Sequence, residues 1–383
     1  MKKGTLYYIA NIRYPTDKAH GIQVANMCEA FGRLVEKVVL IVPRRRNDPE
    51  MRVDPYAFYG TEKTYGIRRL PTLDLIGLIP IRSIAFLLQS ATYLLFVKLF
   101  LLFKPRRGVI VYTRELEVAV LARFLGFRSA IELHSLPRRS GVVYRSALHS
   151  VSSVLAISRG IGRTLVKRGY LGRVLSVPDG VKLSLFTAEI SVEEVRREFS
   201  LEGFGRIALY AGHLYAWKGM QTALDAASHT PDITFCFAGG TEVDRREFSA
   251  ELEKRGAKNC RLLGRFSYTQ VPRLLRTADV LILPNTGKED LAARFTSPLK
   301  LFEYMASGVP IVAADVPAIR EIVDDSMVFF FHADDPADLA RAVRESMADP
   351  SVAEKRAHAS RAAVQQYGWD SRAVRILKEV GYV

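Results

Sequence analysis

The chain has 383 residues, of which 49% are hydrophobic and 25% charged, and it contains three cysteines. These values describe a folded globular protein and exclude a disordered chain, a collagenous repeat, a disulfide-rich mini-protein and a multi-span transporter. Because a single hydrophobic core stops growing at about 250–300 residues, the length predicts two domains. The formal net charge of +15 lies entirely in the first half, since residues 1–180 carry 29 basic and 12 acidic side chains.

Short β-rich segments alternate with segments of helical periodicity along the whole chain. In the first half, strands are predicted at 6–10, 38–42, 109–112, 130–133 and 153–156, with a helix at 22–34. After a Pro-Asp-Gly turn and a charged helix at 192–198, strands are predicted at 207–211, 234–238, 280–283 and 310–313. This alternation is typical of parallel sheets with helices on both faces. The sequence therefore predicts an α/β fold of two doubly wound domains, with a ligand site in the cleft between them.

The cysteines and the N-terminus indicate the compartment. Cys28, Cys236 and Cys260 are far apart, odd in number and without CxxC spacing, so neither a disulfide framework nor a zinc ribbon is expected. The apolar run that follows the first basic residues ends at Ala10, which is too short for a signal peptide. We therefore expect a reducing, cytoplasmic location.

Residues 70–104 are the most hydrophobic stretch of the basic half. The segment 82–104 nearly has the length of a membrane span, but Gln89, Ser90 and Lys98 interrupt it, so a span is not favoured. Two interpretations remain: a helix at an anionic membrane surface, peripheral at the inner face of the plasma membrane, and a buried helix of a large α/β domain. No RNA- or DNA-binding motif accompanies the basic charge, so nucleic acid is not an expected partner.

The most specific motif runs from residue 296 to residue 315. Ser297 is a typical N-cap, Pro298 suits the first helical position, and Gly308 ends the helix before a buried strand. The free N–H groups of such a helix end carry roughly half a positive charge and bind phosphate. Glu303 follows about one and a half turns later, close enough to accept hydrogen bonds from ribose hydroxyls. The alternative is an ordinary capped helix with Glu303 on its solvated face.

This motif resembles the donor-site signature of retaining glycosyltransferases of family 4, which have the GT-B fold. The resemblance implies that Glu303, the last Glu of a Glu-x7-Glu motif, binds the donor ribose. The first Glu of that motif is replaced here by Phe295, which leaves open what contacts the transferred sugar at that position. The Ser-Pro-Leu-Lys subgroup of the family is the nearest pattern. By resemblance the donor diphosphate is bound by the helix end formed by Ser297, Pro298, Leu299 and Lys300.

A second motif at 210–219 supports the resemblance. The family commonly has Arg at the position of His213 and Lys at that of Lys218, both bound to the distal phosphate of the donor. An ammonium group there neutralises the leaving-group charge as the glycosyl–phosphate bond breaks, so Lys218 is a candidate catalytic residue. Arg294, beside the vacant acidic position, is a second catalytic candidate that would supply the missing positive charge. The alternatives are a solvated loop lysine and an ordinary surface arginine.

The first domain contributes further candidates by resemblance. Residues 11–24 correspond to a glycine-containing loop that closes over the diphosphate, which implies a diphosphate contact at Gly21 and acceptor contacts at Lys18 and His20. His20 is alternatively a helix-capping residue. His134, just beyond a predicted strand, matches a histidine beside the transferred sugar and is the third catalytic candidate; a lone histidine is otherwise a structural residue.

Two more segments match the family near the end of the chain. Residues 263–266 resemble the loop that reads the nucleobase, which implies base contacts at Arg265 and Phe266. Residues 367–370 resemble the start of a C-terminal helix that crosses back to the first domain. The predicted domains are therefore an acceptor-binding domain at 1–180, a nucleotide-sugar-binding domain at 181–365 and the crossing helix at 366–383.

The sequence thus predicts a retaining glycosyltransferase that moves a hexose from a nucleoside diphosphate sugar to a glycan or lipid-linked acceptor, as in cell-envelope polysaccharide biosynthesis. It is expected to act without a metal or another cofactor, as a monomer or weak dimer. One alternative is a GT-B sugar-nucleotide hydrolase or epimerase, which would need an acid–base carboxylate. The other is a non-catalytic glycan- or nucleotide-binding protein, suggested by Phe295 and His213.

Overall fold

The computed structural model describes residues 2–46, 52–76, 78–137, 141–188 and 191–382. The chain divides into two compact units, Met1–Pro178 with Trp369–Val383 and Asp179–Gly368. Each unit is an α/β domain around a parallel sheet, so the predicted pair of doubly wound domains is confirmed. The sequence analysis placed the domain boundaries after residues 180 and 365, whereas the units divide after Pro178 and Gly368. The acceptor-binding and donor-binding roles of the two domains stay predictions.

The first unit is built on seven described parallel strands. They are β1 (Lys2–Ile9), β2 (Val35–Pro43), β3 (Gly66–Leu70), β4 (Val109–Thr113), β5 (Arg128–Leu133), β6 (Ser153–Ala156) and β7 (Val174–Ser176). Their order in the sheet is β3-β2-β1-β4-β5-β6-β7. The connecting helices are α1 (Ala19–Leu34), α2 (Pro55–Tyr59), α3 (Arg82–Leu102), α4 (Leu116–Phe124), α5 (Val142–Ser150) and α6 (Arg159–Lys167).

The second unit has six parallel strands among the described residues. They are β8 (Arg206–Ala211), β9 (Ile233–Ala238), β10 (Cys260–Gly264), β11 (Val280–Leu283), β12 (Ile311–Ala314) and β13 (Phe329–Phe331), in the order β10-β9-β8-β11-β12-β13. Its helices are α7 (Val192–Glu198), α8 (Met220–Ser228), α9 (Glu242–Arg255), α10 (Val271–Leu275), α11 (Leu299–Ser307), α12 (Pro317–Arg320), α13 (Pro336–Ala348) and α14 (Pro350–Ala363). The last helix, α15 (Trp369–Glu379), returns to the first unit and packs on α1.

Strand order fixes where each sheet offers a ligand site. In the first unit the order reverses between β1 and β4, and in the second unit it reverses between β8 and β11. At such a switch point the two connections leave the strand ends in opposite directions and open a crevice beyond the carboxyl ends. The loops after β1, β4, β8 and β11 are therefore the positions at which each unit can bind a ligand.

The predicted strands are all present, but β3, β7, β10 and β13 are missing from the prediction. These four are the edge strands of the two sheets. Three of these edge strands bury little apolar surface: β3 exposes most of its residues, β7 has none fully buried, and β10 has one. The fourth, β13, is apolar and largely buried but only three residues long. Low burial and short length therefore account for the missed strands.

Helix α3 occupies most of the hydrophobic stretch at 70–104, of which Gly77 and the side chain of Arg82 lie outside the described residues. Every fourth side chain of α3 is buried in the first unit, namely Ala85, Gln89, Tyr93, Val97 and Leu101. The opposite side is apolar and exposed, through Ile84, Leu87, Leu88, Leu95, Leu99 and Leu102. Ser83–Leu102 is long and apolar enough to cross a membrane, but a third of its most apolar window is buried in the unit. The buried-helix interpretation therefore accounts for one narrow stripe of α3.

Candidate functional site

Helix α11 begins beyond the carboxyl end of β11. Its N-cap is Pro298, which is extended and makes no side-chain capping bond, and the first helical residue is Leu299. The prediction that Ser297 caps the helix is wrong, because its hydroxyl accepts a hydrogen bond from the backbone N–H of Asp179 at 2.8 Å. Gly308 ends the helix in the left-handed conformation, as predicted, with φ of 74°. The first turn of α11 therefore has neither a capping side chain nor an acidic residue among the described residues.

Lys300 connects the start of α11 to the end of β8. It is 9% exposed, and its Nζ donates to the Tyr210 hydroxyl at 2.6 Å. The same hydroxyl donates to the backbone oxygen of His213 at 2.6 Å. One turn further along α11, the Tyr304 hydroxyl accepts from the N–H of Ala211 at 2.8 Å. The helix end is thus tied by hydrogen bonds to the loop that follows β8.

Two glycines let this loop, residues 212–219, approach its neighbours. Gly212 has φ of 151°, and a Cβ there would lie 2.9 Å from Lys300 Nζ. Gly219 has φ of 79°, and a Cβ there would overlap the carbonyl oxygen of Pro284 at the end of β11. Any larger residue would push the loop away from both elements. The predicted phosphate residues Lys218 and Lys300 are therefore brought to the same switch point.

Three aromatic rings and an ammonium group form a stack in this loop. The His213 ring is stacked on Tyr215 with centroids 5.0 Å apart, and Tyr215 is stacked on Trp217 at 6.0 Å. Lys218 Nζ lies 3.8 Å from the centroid of Trp217. At the position where the family commonly has Arg, this chain therefore has a ring that packs on its neighbour.

Burial shifts the pKa of each of three charged groups at this site. Burial lowers the pKa of Lys218 to about 8. Burial, with the nearby charge of Lys218, lowers the pKa of Lys300 well below its ordinary value. Burial raises the pKa of Glu303 to about 7, although Lys300 opposes the shift. Glu303 is partly buried, which argues against the solvated-face interpretation. The arrangement holds two destabilised ammonium groups that an anion would stabilise.

Asn285 adds an unsatisfied group next to Pro284. It is 0% exposed, and neither its side-chain nitrogen nor its side-chain oxygen makes a hydrogen bond with the described residues. Such a group costs free energy in a folded protein unless a ligand or water pairs with it. The sequence analysis did not single out Asn285. Its position directly after a predicted strand and Pro284 was the signal that could have identified it as a candidate site residue.

The remaining candidates of the second unit are Arg265, Phe266 and Arg294. Arg265 is exposed beyond the carboxyl end of the edge strand β10, and the Phe266 ring packs edge-on against Phe199 with centroids 5.1 Å apart. Arg294 lies in the single π-helical turn Leu291–Phe295, 63% exposed, and forms an ion pair with Asp290 at 3.5 Å. The base-binding and charge-supplying roles given to these residues stay predictions.

In the first unit, helix α1 begins at Ala19, three residues before the predicted start, so His20 and Gly21 lie in its first turn and Lys18 is its exposed N-cap. The space beside the Gly21 Cα is filled by the protein. A Cβ there would overlap the Tyr59 hydroxyl, and the Gly21 N–H donates to the Lys18 carbonyl at 2.8 Å. Packing inside the unit therefore accounts for the glycine, and the diphosphate contact stays a prediction.

His20 and His134 are neighbours of Arg114 at the carboxyl ends of β4 and β5. Burial and Arg114 lower the pKa of His134 to about 4, although Glu132 opposes the shift. Burial, Arg114 and Lys18 lower the pKa of His20 to about 3. Both histidines are therefore neutral at pH 7 and can accept or donate a hydrogen bond without carrying charge.

Glu132 and Arg372 form a buried ion pair that the sequence analysis did not assign. Their atoms Oε2 and Nη2 lie 2.8 Å apart, and the side chains are 0% and 2% exposed. Burial alone would raise the pKa of Glu132, but Arg372 and His134 outweigh it and hold the pKa well below its usual range. The signal in the sequence was a charged residue inside an otherwise apolar strand.

No group of three or more His, Cys, Asp or Glu side chains that could hold a metal ion occurs among the described residues. Cys28, Cys236 and Cys260 are buried and unpaired.

Comparison with known proteins identifies the second unit. Residues 191–366 match the family of Glycosyl transferases group 1. The phosphatidyl-myo-inositol mannosyltransferase of Mycobacterium tuberculosis is 29% identical over 217 residues, which cover 53% of this chain and 53% of that protein. A putative colanic acid biosynthesis glycosyl transferase, WcaI, of Escherichia coli is 27% identical over 169 residues, 43% of this chain and 40% of that protein. These matches thus span about half the length of the curated relatives or less.

Solved structures resemble the whole chain. Anabaena Alr3699/HepE in complex with UDP has a TM-score of 0.73 at 15% identity, covering 99% of this chain and 100% of the other. An Escherichia coli structure described as trehalose-6-phosphate bound with UDP-2-fluoro glucose has a TM-score of 0.74 at 11% identity, covering 99% of each chain. At these identities the likeness establishes the fold. Residues 191–366 therefore form a domain of the glycosyl transferases group 1 family, within a chain of the GT-B fold.

Proposed function

We propose that this protein is a glycosyltransferase that transfers a hexose from a nucleoside diphosphate sugar to a glycan or lipid-linked acceptor. The observation that carries the proposal is the meeting of the uncapped α11 start with Lys218 and Lys300 at the switch point of a group 1 domain. An anion that receives N–H groups from α11 and two ammonium groups is the ligand this arrangement favours most. A diphosphate fits that description, and Glu303 is then the acceptor for the ribose hydroxyls.

The proposed reaction breaks the bond between the anomeric carbon and the phosphate oxygen. The acceptor hydroxyl forms the new bond to the same carbon, and its proton passes to the departing phosphate on the same face, with retention of configuration. Lys218, Lys300 and the α11 N-terminus hold the negative charge that develops on the phosphate. Positioning and charge compensation thus supply the catalysis, without a resident metal or another cofactor. Undiminished transfer in EDTA, against a magnesium-supplemented control, is the expected result.

The first probe of the donor is uridine diphosphate, because two structures of the same fold contain UDP or a UDP-sugar. Thermal unfolding with UDP, GDP and ADP at a hundred times Kd should show about 2.7 kcal/mol of stabilisation for the matching base. Incubation of the protein with a sugar derivative of the nucleotide that binds and with polyprenyl-phosphate-linked glycans should then yield a glycosylated product. No nucleotide binding by any of the three would contradict the proposal.

The hydrolase or epimerase alternative needs a carboxyl group that exchanges a proton with the sugar. Glu132 does not serve, because Arg372 keeps it ionised and its oxygens already accept hydrogen bonds from neighbouring side chains. Glu303, with a pKa of about 7, is the group such an enzyme would use. Loss of donor sugar without an acceptor, abolished by Glu303→Gln, would favour this alternative. Nucleotide binding without any turnover would favour the non-catalytic binding protein.

We also propose that the exposed apolar side of α3 lies on an anionic lipid surface at the inner face of the plasma membrane, with the protein a monomer or weak dimer. Leu87 and Leu95 on that side are 67% and 51% exposed. Lys98 and Arg106 are exposed beside it, and residues 1–180 carry the whole positive excess of the chain. An apolar side with cationic neighbours matches the charge and polarity of anionic headgroups over acyl chains.

Sedimentation with vesicles tests this surface. The protein should sediment with phosphatidylglycerol vesicles and be released from them by high salt. It should not sediment with phosphatidylcholine vesicles. Leu87→Glu with Leu95→Glu should abolish sedimentation, whereas Val243→Glu, which alters an exposed apolar side chain of the second unit, should not. Equal sedimentation of all three proteins would overturn the assignment of α3.

A further inference from the structure

Glu132 is held from four directions in the first unit. Its Oε1 accepts from Gln23 Nε2 at 2.7 Å and faces His134 Nε2 at 2.5 Å. Its Oε2 accepts from the hydroxyl of Tyr112 and from Arg372 Nη2, the latter at 2.8 Å. The donors come from α1, β4, the loop after β5 and α15. The carboxylate is 1% exposed, so these contacts fix its position in the unit.

The position of Glu132 determines the protonation of His134. A carboxylate oxygen has only lone pairs, so the ring nitrogen that faces it must carry the hydrogen. Nε2 of His134 is therefore the N–H, and Nδ1 keeps its lone pair as an acceptor. The ring is neutral, because burial with the charges of Arg114 and Arg372 opposes a second proton more strongly than Glu132 favours it. His134 is 18% exposed, so part of its ring remains accessible.

Arg372 gives the arrangement its stiffness. Besides Glu132, its guanidinium donates through Nε to the carbonyl of Pro178 at 2.7 Å and through Nη2 to that of Val177 at 3.1 Å. A planar guanidinium bound at several points cannot rotate without breaking the others. Glu132 therefore cannot follow a movement of the histidine ring, and the ring must adopt the orientation that the carboxylate allows.

We propose that Glu132 is a positioning residue that holds His134 as the Nε2–H tautomer, leaving Nδ1 to accept a hydrogen bond from a hydroxyl of the transferred sugar or of the acceptor. This inference rests on the proposed function and on the family resemblance, which implies that His134 lies beside the transferred sugar. Glu132 itself touches no substrate. The pair follows the logic by which a buried carboxylate orients a histidine elsewhere in enzymes.

A double-mutant cycle tests the coupling. Glu132→Gln and His134→Ala should each lower kcat for transfer about tenfold while the donor KM stays within twofold. The double variant should be no worse than His134→Ala alone, because Glu132 acts only through the ring. Glu36→Gln, which alters an exposed carboxylate on β2 that makes no contact with Glu132, should keep kcat within twofold. Losses that multiply in the double variant would overturn the proposal.

A spectroscopic readout in the wild-type protein keeps the test independent of activity. In the wild-type protein labelled with ¹⁵N-histidine, His134 should show a protonated Nε2 and an unprotonated Nδ1 at pH 7, assigned by comparison with His134→Ala. A protonated Nδ1 would overturn the proposal. If the protein binds UDP but transfers no sugar, the proposed function fails while the tautomer still decides the positioning role.

Discussion

Two clusters of buried charge, one in each unit, differ in how completely their hydrogen-bonding capacity is used. In the first unit, both carboxylate oxygens of Glu132 accept hydrogen bonds, and Arg372 supplies the opposite charge. In the second, Lys218 and Lys300 are both destabilised by burial, and Asn285 makes no hydrogen bond with the described residues. We call the first cluster saturated because each oxygen of Glu132 has two hydrogen-bond partners, and the second unsaturated. Contacts within the protein stabilise the charge of the first cluster, whereas a bound ligand would stabilise the second. The difference separates a structural support from a binding site.

The largest expected effect is on the saturated cluster. Arg372→Met leaves the Glu132 carboxylate buried without its counter-charge and should lower the free energy of unfolding by about 3–5 kcal/mol in urea denaturation. The control is Arg375→Met on the same helix, an exposed side chain that donates to Ser176 at 3.2 Å. That change should cost less than about 1 kcal/mol. Equal losses would mean that the first cluster is not a special support.

The unsaturated cluster should respond in activity and not in stability. Lys218→Ala should lower kcat/KM for transfer about 100-fold, because one charge opposite the departing phosphate is lost. The free energy of unfolding should change by less than about 1 kcal/mol, because the desolvation of the ammonium group is relieved while its contact with the Trp217 ring is lost. Lys258→Ala, an exposed lysine of the same unit, should leave kcat/KM unchanged. A large loss of stability in Lys218→Ala would show that the second cluster, like the Glu132 cluster, supports the fold.

The pH dependence sharpens the comparison further. Glu303 must be ionised to accept ribose hydroxyls, which happens above its pKa of about 7. Lys218 must be protonated to pair with phosphate, which happens below its pKa of about 8. The kcat/KM for the donor should therefore peak between these values and fall about tenfold per pH unit on either side. Glu303→Gln should remove the acid limb alone; persistence of that limb in the variant would contradict the assignment.

The smallest expected effect concerns the approach of the loop to α11. Gly212→Ala places a methyl group 2.9 Å from Lys300 Nζ, at a backbone conformation that only glycine adopts readily. The flexible ammonium can yield, so the donor KM should rise about fivefold with kcat nearly unchanged. Gly203→Ala is the control, because Gly203 also has a positive φ, 80°, and no atom lies within 4 Å of the added Cβ. A donor KM that rises equally in both variants would show that backbone strain alone is responsible.

The sequence allowed the fold and one half of the candidate site to be predicted. Continuous apolar runs predicted the central strands. The proline at the start and the glycine at the end of the Pro298–Gly308 segment predicted helix α11. The packing of Gly21 could not be predicted, because its neighbour Tyr59 lies far along the chain and only the folded chain shows that the space beside the glycine is filled. Contacts between distant segments, as between Glu132 and Arg372, leave no spacing in the sequence to read.

The return of α15 to the first unit makes that unit discontinuous in the chain. Asp179–Gly368 is one uninterrupted segment, whereas the first unit lacks Arg372 until α15 has been made. During synthesis the second unit therefore emerges from the ribosome before the first can close around Glu132. A nascent chain that stops before α15 should hold a folded second unit and a loosened first unit, so completion of α15 is the step on which folding of the first unit depends.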